Sequence, residues 1–160
     1  MEFDRKLLQK AGLDNREVFF RIYTWNPPAV SLGKNQDLDR VLDTEYLTKA
    51  GVTVVKRPTG GRAIYHKNDV CISLAGILHD RGAGGITAKE IYNNFAEILK
   101  LFFENLRTKT VLARGPRLSG GHRSGIGKLP CFLSATPYEL LASGRKIAGI
   151  ALYVGKDRFL

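Results

Sequence analysis

The residues best suited to chemistry form a basic segment with two adjacent glycines, Lys56-Arg57-Pro58-Thr59-Gly60-Gly61-Arg62. Glycines let backbone N–H groups approach an anion closely, and Arg57 and Arg62 can bind a phosphate or carboxylate through paired hydrogen bonds. The segment lacks the GxxxxGKS/T spacing of a P-loop, and no GxGxxG opens a helix. An anion-binding loop is one interpretation. A hairpin turn with surface arginines is the other, and it is the commoner outcome for this pattern alone.

A second candidate pair is Cys131 with Lys146. A cysteine near cationic groups has a lowered pKa and becomes a usable nucleophile, and Cys131 follows a strongly basic segment. A lysine removed from water can act as a base or donate a hydrogen bond to an acyl carbonyl. A small buried side chain is the commoner role of a free cysteine, and we expect it for Cys71, which lies in an apolar run.

Composition favours a cytoplasmic protein of one domain. The chain has 160 residues, 25 basic against 15 acidic, and a formal net charge of +10. Its two cysteines are too few for a disulfide framework, and neither a signal peptide nor an apolar run of about 18 residues is present. The basic surface would attract nucleic acid, phosphate-bearing molecules or an acidic protein, although a solvated surface without a partner is equally consistent.

The three histidines do not predict a metal site. His66, His79 and His122 lack the spacing of paired ligands, and the chain contains no CxxC. We therefore expect no structural metal. The turn Trp25-Asn26-Pro27-Pro28 could rim a pocket, and a packed turn is an equally good interpretation.

Local patterns predict an α+β fold with a mixed, largely antiparallel sheet flanked by helices. Thr87 with Glu90 forms a capping box for one helix, whose residues Ile91, Phe95, Ile98, Leu99 and Phe102 should face inward. Ser143-Gly144 predicts a hairpin turn. Helices are expected over residues 3–11, 38–50 and 87–106, and strands over 18–23, 29–33, 52–56, 62–66, 70–78, 110–113, 129–134, 138–142 and 146–154.

Residues 114–128 differ from the rest of the chain, with five glycines, three arginines and almost no apolar residue. We predict a mobile basic loop here, with an exposed linker as the alternative. We do not expect binding of nucleic acid through this loop to be the main function, because no aromatic residues are interleaved with the basic ones for base stacking.

The motifs together resemble the lipoate–protein ligase A and octanoyltransferase family of the biotin/lipoate attachment superfamily. The resemblance extends over nearly the whole chain. It is carried by residues 23–33 with Trp25-Asn26-Pro27-Pro28, by the loop from Gly51 to His66, by Cys131-Phe132, and by Tyr138-Glu139-Leu140 with Gly144-Arg145-Lys146-Ile147-Ala148-Gly149. Three motifs in the same order are much more specific than any one of them.

The resemblance implies that an acyl chain lies in an apolar tunnel and that Lys146 engages its carbonyl. It also implies substrate-binding positions at Arg57, Thr59, Gly60, Gly61, Arg62, His66 and Gly149. Cys131-Phe132, and Arg62 where many ligases have a third glycine, resemble the octanoyltransferases that pass octanoate through a cysteine thioester and require no cofactor. The alternative is a ligase that uses ATP and Mg to make lipoyl-AMP. The implied partners are an acidic acyl carrier protein and a lipoyl domain or glycine-cleavage H protein.

Some positions depart from the family. Ile150 and Leu152 stand where serine and glutamine are usual, and the family normally continues past Leu160. We therefore expect residues 1–160 to form a single catalytic domain that lacks this continuation. A non-catalytic relative that binds an acyl group, or a site completed by a second chain, are the remaining alternatives.

Overall fold

A computed structural model describes residues 1–11, 18–78, 86–113 and 139–160. Contacts divide the chain into two units, the first Met1–Gly85 with Leu152–Leu160 and the second Ile86–Ala151. The first unit contains α1 (Glu2–Lys10), β1 (Val18–Tyr23), β2 (Ala29–Leu32), α2 (Leu38–Val41), α3 (Thr44–Lys49), β3 (Thr53–Lys56), β4 (Ile64–His66), β5 (Cys71–Ile77) and β9 (Arg158–Phe159). The second contains α4 (Ala88–Asn105), β6 (Val111–Leu112), β7 (Leu140–Ala142) and β8 (Arg145–Ala148).

The sheets confirm the predicted α+β class. Three-stranded sheets have the orders β1-β5-β9, β3-β2-β4 and β6-β7-β8. Among the described strands only β2 and β3 pair in parallel, and the other pairs are antiparallel. The central strand β2 is buried along its whole length, as expected for an apolar strand with a neighbour on each side.

A buried carboxylate ties α1 to the first sheet. Asp4 is 2% exposed, and its Oδ1 accepts hydrogen bonds from Ser73 Oγ at 2.8 Å and from Arg21 at 3.2 Å. Near the other end of α1, Arg158 donates to the backbone carbonyls of Leu8 and Gln9, which have no partner within the helix. The helix that leads into the fold is therefore held at both ends by residues distant in sequence.

The single helix predicted over residues 38–50 is wrong, because the chain forms two short helices there. Leu42 is extended, with φ −129° and ψ 145°, and the Asp43 side chain accepts a hydrogen bond from the Tyr46 backbone N–H. Aspartate favours this N-cap arrangement over a helix interior. It therefore begins a new helix and interrupts the one that the apolar spacing suggested. Gly51 follows the second helix with φ +64°, the left-handed conformation in which helices commonly end.

The second unit has the predicted helix start and hairpin. Thr87 and Glu90 form a reciprocal capping box at the start of α4. Ser143 and Gly144 have φ angles of +48° and +74°, which is the turn geometry that suits the twist of a two-residue hairpin. The predicted inward face of α4 is partly wrong. Ile91 is buried, but Ile98 and Phe102 are 58% and 54% exposed.

Several predicted features lie outside the described residues, among them Cys131, the basic segment 114–128 and the strand 129–134. Within the part of the chain that the structure describes, none of the helices has the length and apolar character that crossing a membrane requires.

Gly33 is expected to be intolerant of any side chain. A Cβ atom at this position would lie 2.0 Å from the carbonyl oxygen of Gly61, so the two loops would have to separate. We expect Gly33→Ala to lower the free energy of unfolding by about 3 kcal/mol, measured by urea denaturation. Gly60→Ala is the matched control, because a Cβ there meets nothing within 4 Å. Equal stability of the two variants would contradict the close contact between the loops.

Candidate functional site

Arg57 organises the glycine segment from within. Its side chain is buried. Nε and one terminal nitrogen donate to the Gly60 carbonyl at 3.2 and 2.8 Å, and that terminal nitrogen also donates to the Arg62 carbonyl at 2.7 Å. The other terminal nitrogen donates to the carbonyl and the hydroxyl of Ser31, at 2.9 and 3.1 Å. The guanidinium thus joins the loop to β2, and its substrate-binding role stays a prediction.

The glycines of this loop have different structural roles. Gly61 has φ +91°, and a Cβ there would lie 2.9 Å from the Arg57 guanidinium. Both the backbone conformation and the packed arginine therefore require glycine. Gly60 has open space where a Cβ would be, so its backbone can be approached closely. The buried Thr59 contributes its carbonyl, which accepts the Lys34 N–H at 2.9 Å.

His66 lies at the centre of a buried polar network. Its Nε2 is 2.8 Å from Ser31 Oγ and its Nδ1 is 2.6 Å from Asp69 Oδ2. Arg57 also donates to Ser31 Oγ, so the serine hydroxyl contacts both the guanidinium and the imidazole. A continuous series of polar contacts therefore runs from Arg57 through Ser31 and His66 to the Asp69 carboxylate.

Trp25 and Cys71 complete this cluster. The indole stacks on the His66 ring, with centroids 4.7 Å apart, and its N–H donates to Cys71 Sγ at 3.3 Å. Burial raises the pKa of the Cys71 thiol to about 11, so the thiol is protonated near neutral pH. Cys71 is therefore a poor nucleophile, in agreement with the structural role expected of it.

His66, Asp69 and Cys71 are also close enough to be considered as metal ligands, with their ligand atoms within 4.8 Å of one another. Hydrogen bonds explain this proximity without an ion, since Cys71 Sγ lies 3.6 Å from both His66 Nδ1 and Asp69 Oδ2. The raised pKa also disfavours the thiolate that a metal requires. The sequence-based expectation of no metal stays a prediction.

A cavity of about 380 Å³ opens beside this cluster. Its wall includes Trp25, Asn26 and Pro28, which agrees with the interpretation of that turn as a pocket rim. The other lining residues are polar or charged apart from one valine; they are Thr24, Lys67, Asn68, Asp69 and Val70.

In the second unit, Lys146 forms a buried ion pair with Glu139. The Nζ–Oε1 distance is 2.7 Å, and the side chains are 3% and 8% exposed. A Cβ at Gly149 would lie 3.0 and 3.1 Å from Lys146 Cε and Nζ, so a larger residue would crowd the ammonium. The Lys146 side chain is thus removed from water, which is the condition for the chemical roles considered for it from the sequence.

The predicted site residues thus fall into separate groups. Arg57, Thr59, Gly60, Gly61, Arg62 and His66 lie in the first unit, and Lys146 and Gly149 lie together in the second. Ser31, Asp69 and Glu139 are partners that were not predicted as site residues, although Glu139 belongs to one of the motifs that carry the resemblance. Ser31 could have been noticed because it is a polar residue in an otherwise apolar strand. Asp69 could have been noticed because it follows His66 by three residues.

Solved structures with a similar fold include lipoate ligases. Lipoate-protein ligase A bound with ATP superimposes with a TM-score of 0.74 at 18% identity, covering 98% of this chain and 56% of that one. The bi-partite lipoate protein ligase from Thermoplasma acidophilum superimposes with a TM-score of 0.66 at 21% identity, covering 98% and 51%. At these identities the likeness establishes the fold.

The lipoyl protein ligase A/B catalytic domain family matches residues 1–160, and the chain belongs to this family. Similar relatives include octanoyltransferase LipM of Carboxydothermus hydrogenoformans, 37% identical over 152 residues, and that of Moorella thermoacetica, 34% identical over 152 residues. Each alignment covers 94% of this chain and 54% of the relative. The chain therefore spans about half the length of these relatives. The resemblance inferred from the motifs is confirmed.

Loss of either member of the buried ion pair should destabilise the protein strongly. Lys146→Met removes the cation that lies 2.7 Å from the buried Glu139 carboxylate, and we expect a loss of about 3–5 kcal/mol in the free energy of unfolding. Glu139→Gln should also destabilise, and the double variant should recover part of the loss.

The exposed pair Lys49–Glu45 supplies a control at the same 2.7 Å distance, with side chains 74% and 80% exposed. Lys49→Met should change stability by less than about 1 kcal/mol. If urea denaturation gave the same cost for Lys146→Met and Lys49→Met, the Lys146 pair would not be desolvated in the folded protein.

Proposed function

We propose that this protein is an acyltransferase of protein lipoylation that moves an octanoyl or lipoyl group onto a lysine of a lipoyl domain or glycine-cleavage H protein. The observation that carries the proposal is the 37% identity to an octanoyltransferase over 94% of the chain. The acyl donor is an acyl carrier protein thioester, and the reaction passes through a thioester on Cys131.

Two acyl transfers account for the chemistry. The Cys131 thiolate attacks the donor carbonyl, a new C–S bond forms, and the carrier sulfur leaves as a thiolate that takes up a proton. The acceptor lysine, as the neutral amine, then attacks the Cys131 thioester, forms the amide, loses a proton and releases the cysteine. The donor thioester is already activated, so the route needs no ATP, and the covalent intermediate divides one transfer into two easier ones.

Lys146 is proposed to stabilise negative charge on the acyl oxygen. The buried Glu139 keeps a cation favourable at this position, and its 2.7 Å contact with Nζ restrains the ammonium. A donor that is already oriented in a site with little water stabilises a developing oxyanion more than a flexible surface lysine can. The position of Gly149 beside Lys146 supports the predicted role of this glycine, because the missing side chain leaves space beside the ammonium.

The glycine loop is proposed to present its backbone to the substrate. Arg57 holds the loop from the protein side through the Gly60 and Arg62 carbonyls. The space open at Gly60 supports close approach of a bound molecule to the backbone. Arg57 would then act by positioning the loop, and Thr59, Gly61, Arg62 and His66 remain predicted neighbours of the substrate.

An acidic carrier protein and an acidic acceptor domain suit the net charge of +10. The alternative function is an ATP-dependent lipoate ligase that requires ATP and Mg. It is favoured by the likeness of the fold to lipoate-protein ligase A bound with ATP. A relative that is non-catalytic, or that needs a second chain, is the remaining possibility. The cytoplasmic location stays a prediction.

The thioester route predicts a covalent adduct. Incubation with octanoyl-acyl carrier protein should add one octanoyl group to the wild-type chain, detected by intact mass and removed by hydroxylamine. Cys131→Ser should form no adduct that hydroxylamine removes rapidly. Cys71→Ser is the matched control and should keep the adduct, because the raised pKa of Cys71 makes its thiol unreactive near neutral pH.

An adduct that persisted in Cys131→Ser would contradict the assigned nucleophile. If wild type formed no adduct and instead catalysed lipoate-dependent exchange between ATP and pyrophosphate, the ligase alternative would replace the proposal. Absence of both reactions would favour the relative that is non-catalytic or requires a second chain.

A further inference from the structure

A second concavity in the first unit is lined by cations. This basic groove has a volume of about 270 Å³ and is formed by Arg5, Lys34, Lys56 and Arg57 with an apolar wall of Leu8, Pro58 and Tyr153. None of the described residues that line it is acidic. It adjoins the glycine loop, because Arg57 and Pro58 belong to both.

Backbone hydrogen bonds hold the parts of the basic groove in place. The Lys34 N–H donates to Thr59 O at 2.9 Å, and Tyr153 exchanges two backbone hydrogen bonds with Leu160. Lys56 ends β3, which pairs with the buried β2. The Arg5 side chain donates to the Lys56 carbonyl at 3.2 Å. The cations therefore project from backbone whose positions are set by the fold.

The four cations of the basic groove differ in how far other groups engage them. Arg5, Lys34 and Lys56 have exposed side chains, and none of them forms an ion pair with the described part of the chain. Arg57 adds a buried positive charge, although its N–H groups are engaged by the loop. Like charges held close together repel one another, and an anion bound among them relieves this repulsion.

The apolar wall adds a second requirement on the ligand. Lys34 Nζ lies 5.4 Å from the centroid of the Tyr153 ring, within the range of a cation–π contact. Leu8, Pro58 and the ring leave apolar surface next to the cations. A fitting ligand therefore has an anionic group joined to an apolar group, and the groove of about 270 Å³ is too small for the face of a folded partner.

We propose that the basic groove binds the phosphate of the phosphopantetheine arm through which an acyl carrier protein presents its thioester. This inference rests on the proposed function. In phosphopantetheine the phosphate is joined to a carbon chain that bears two methyl groups, which matches the cations and apolar wall. The groove adjoins the loop predicted to bind substrate, so it would hold the charged end of the arm near that loop.

Direct binding tests the basic groove without requiring catalysis. Isothermal titration of the 160-residue chain should detect phosphopantetheine and give much weaker binding of pantetheine, which lacks the phosphate. The double variant Lys34→Glu with Lys56→Glu should weaken phosphopantetheine binding by about tenfold or more, because two attractive contacts become repulsive. Raising the salt concentration should weaken binding to wild type and have little effect on pantetheine.

The charge-matched control is Lys49→Glu with Lys89→Glu, which changes the net charge equally at exposed positions outside the groove. An equal loss of affinity in this control, or equal affinity of wild type for phosphopantetheine and pantetheine, would overturn the proposal. Circular dichroism of both double variants checks that they are folded. If the groove variant is unfolded, the single variant Lys34→Gln provides the same comparison with a smaller expected loss.

A carboxylate of the carrier protein is the other source of negative charge. Binding of the carrier protein with and without its phosphopantetheine arm distinguishes the two, because only the arm-bearing form should lose affinity in the Lys34→Glu and Lys56→Glu variant. If the carrier protein without the arm lost affinity equally, the groove would bind carboxylates of the carrier protein and not the phosphate. The proposal would then be overturned. If titration detected phosphopantetheine binding but no octanoyl adduct formed, the groove would bind the phosphate as proposed and the proposed function would fail.

Discussion

The structure of the candidate site in the first unit depends on a single buried cation. The Arg57 guanidinium donates to β2 at Ser31 and to the loop at Gly60 and Arg62, so it fixes the loop between β3 and β4 against the strand with which both of them pair. A buried charge is costly unless its hydrogen-bonding groups are satisfied. The loop conformation that offers these carbonyls is thereby favoured over others. This conformation requires glycine at two positions. Gly61 must leave room for the guanidinium, and Gly33 must leave room for Gly61.

The same cation influences groups on the other side of β2. Ser31 Oγ accepts a hydrogen bond from Arg57 and also contacts His66 Nε2, and His66 Nδ1 contacts Asp69. The imidazole, held by these contacts, stacks under Trp25 at the edge of the larger cavity. A lysine at position 57 would keep the charge but could not supply the planar set of donors. The rigidity of this network comes from geometry as much as from charge.

Features of the fold and site that depend on residues adjacent in sequence could be predicted, whereas those that depend on contacts between distant residues could not. The capping box at Thr87 and the hairpin at Ser143-Gly144 depend on residues adjacent in sequence, so their patterns were sufficient. The break at Asp43 was missed because apolar spacing continues across it, while one side chain competes with the helix. Ser31 and Glu139 acquire their roles from partners brought together by strand pairing and burial, and spacing alone does not identify such partners. For Arg57 the residue was identified, but the direction of its guanidinium depends on burial that the sequence does not reveal.

The strand β9 makes the first unit discontinuous along the chain. Residues 152–160 pair with β5 and supply Arg158 to the end of α1, whereas the residues between them and Gly85 belong to the second unit. Because proteins are synthesised from the N-terminus, the ribosome must complete the whole second unit before the first can close its sheet. During translation the edge of β5 is therefore exposed for as long as it takes to make those residues. Chaperone dependence and aggregation during synthesis should concentrate in this interval.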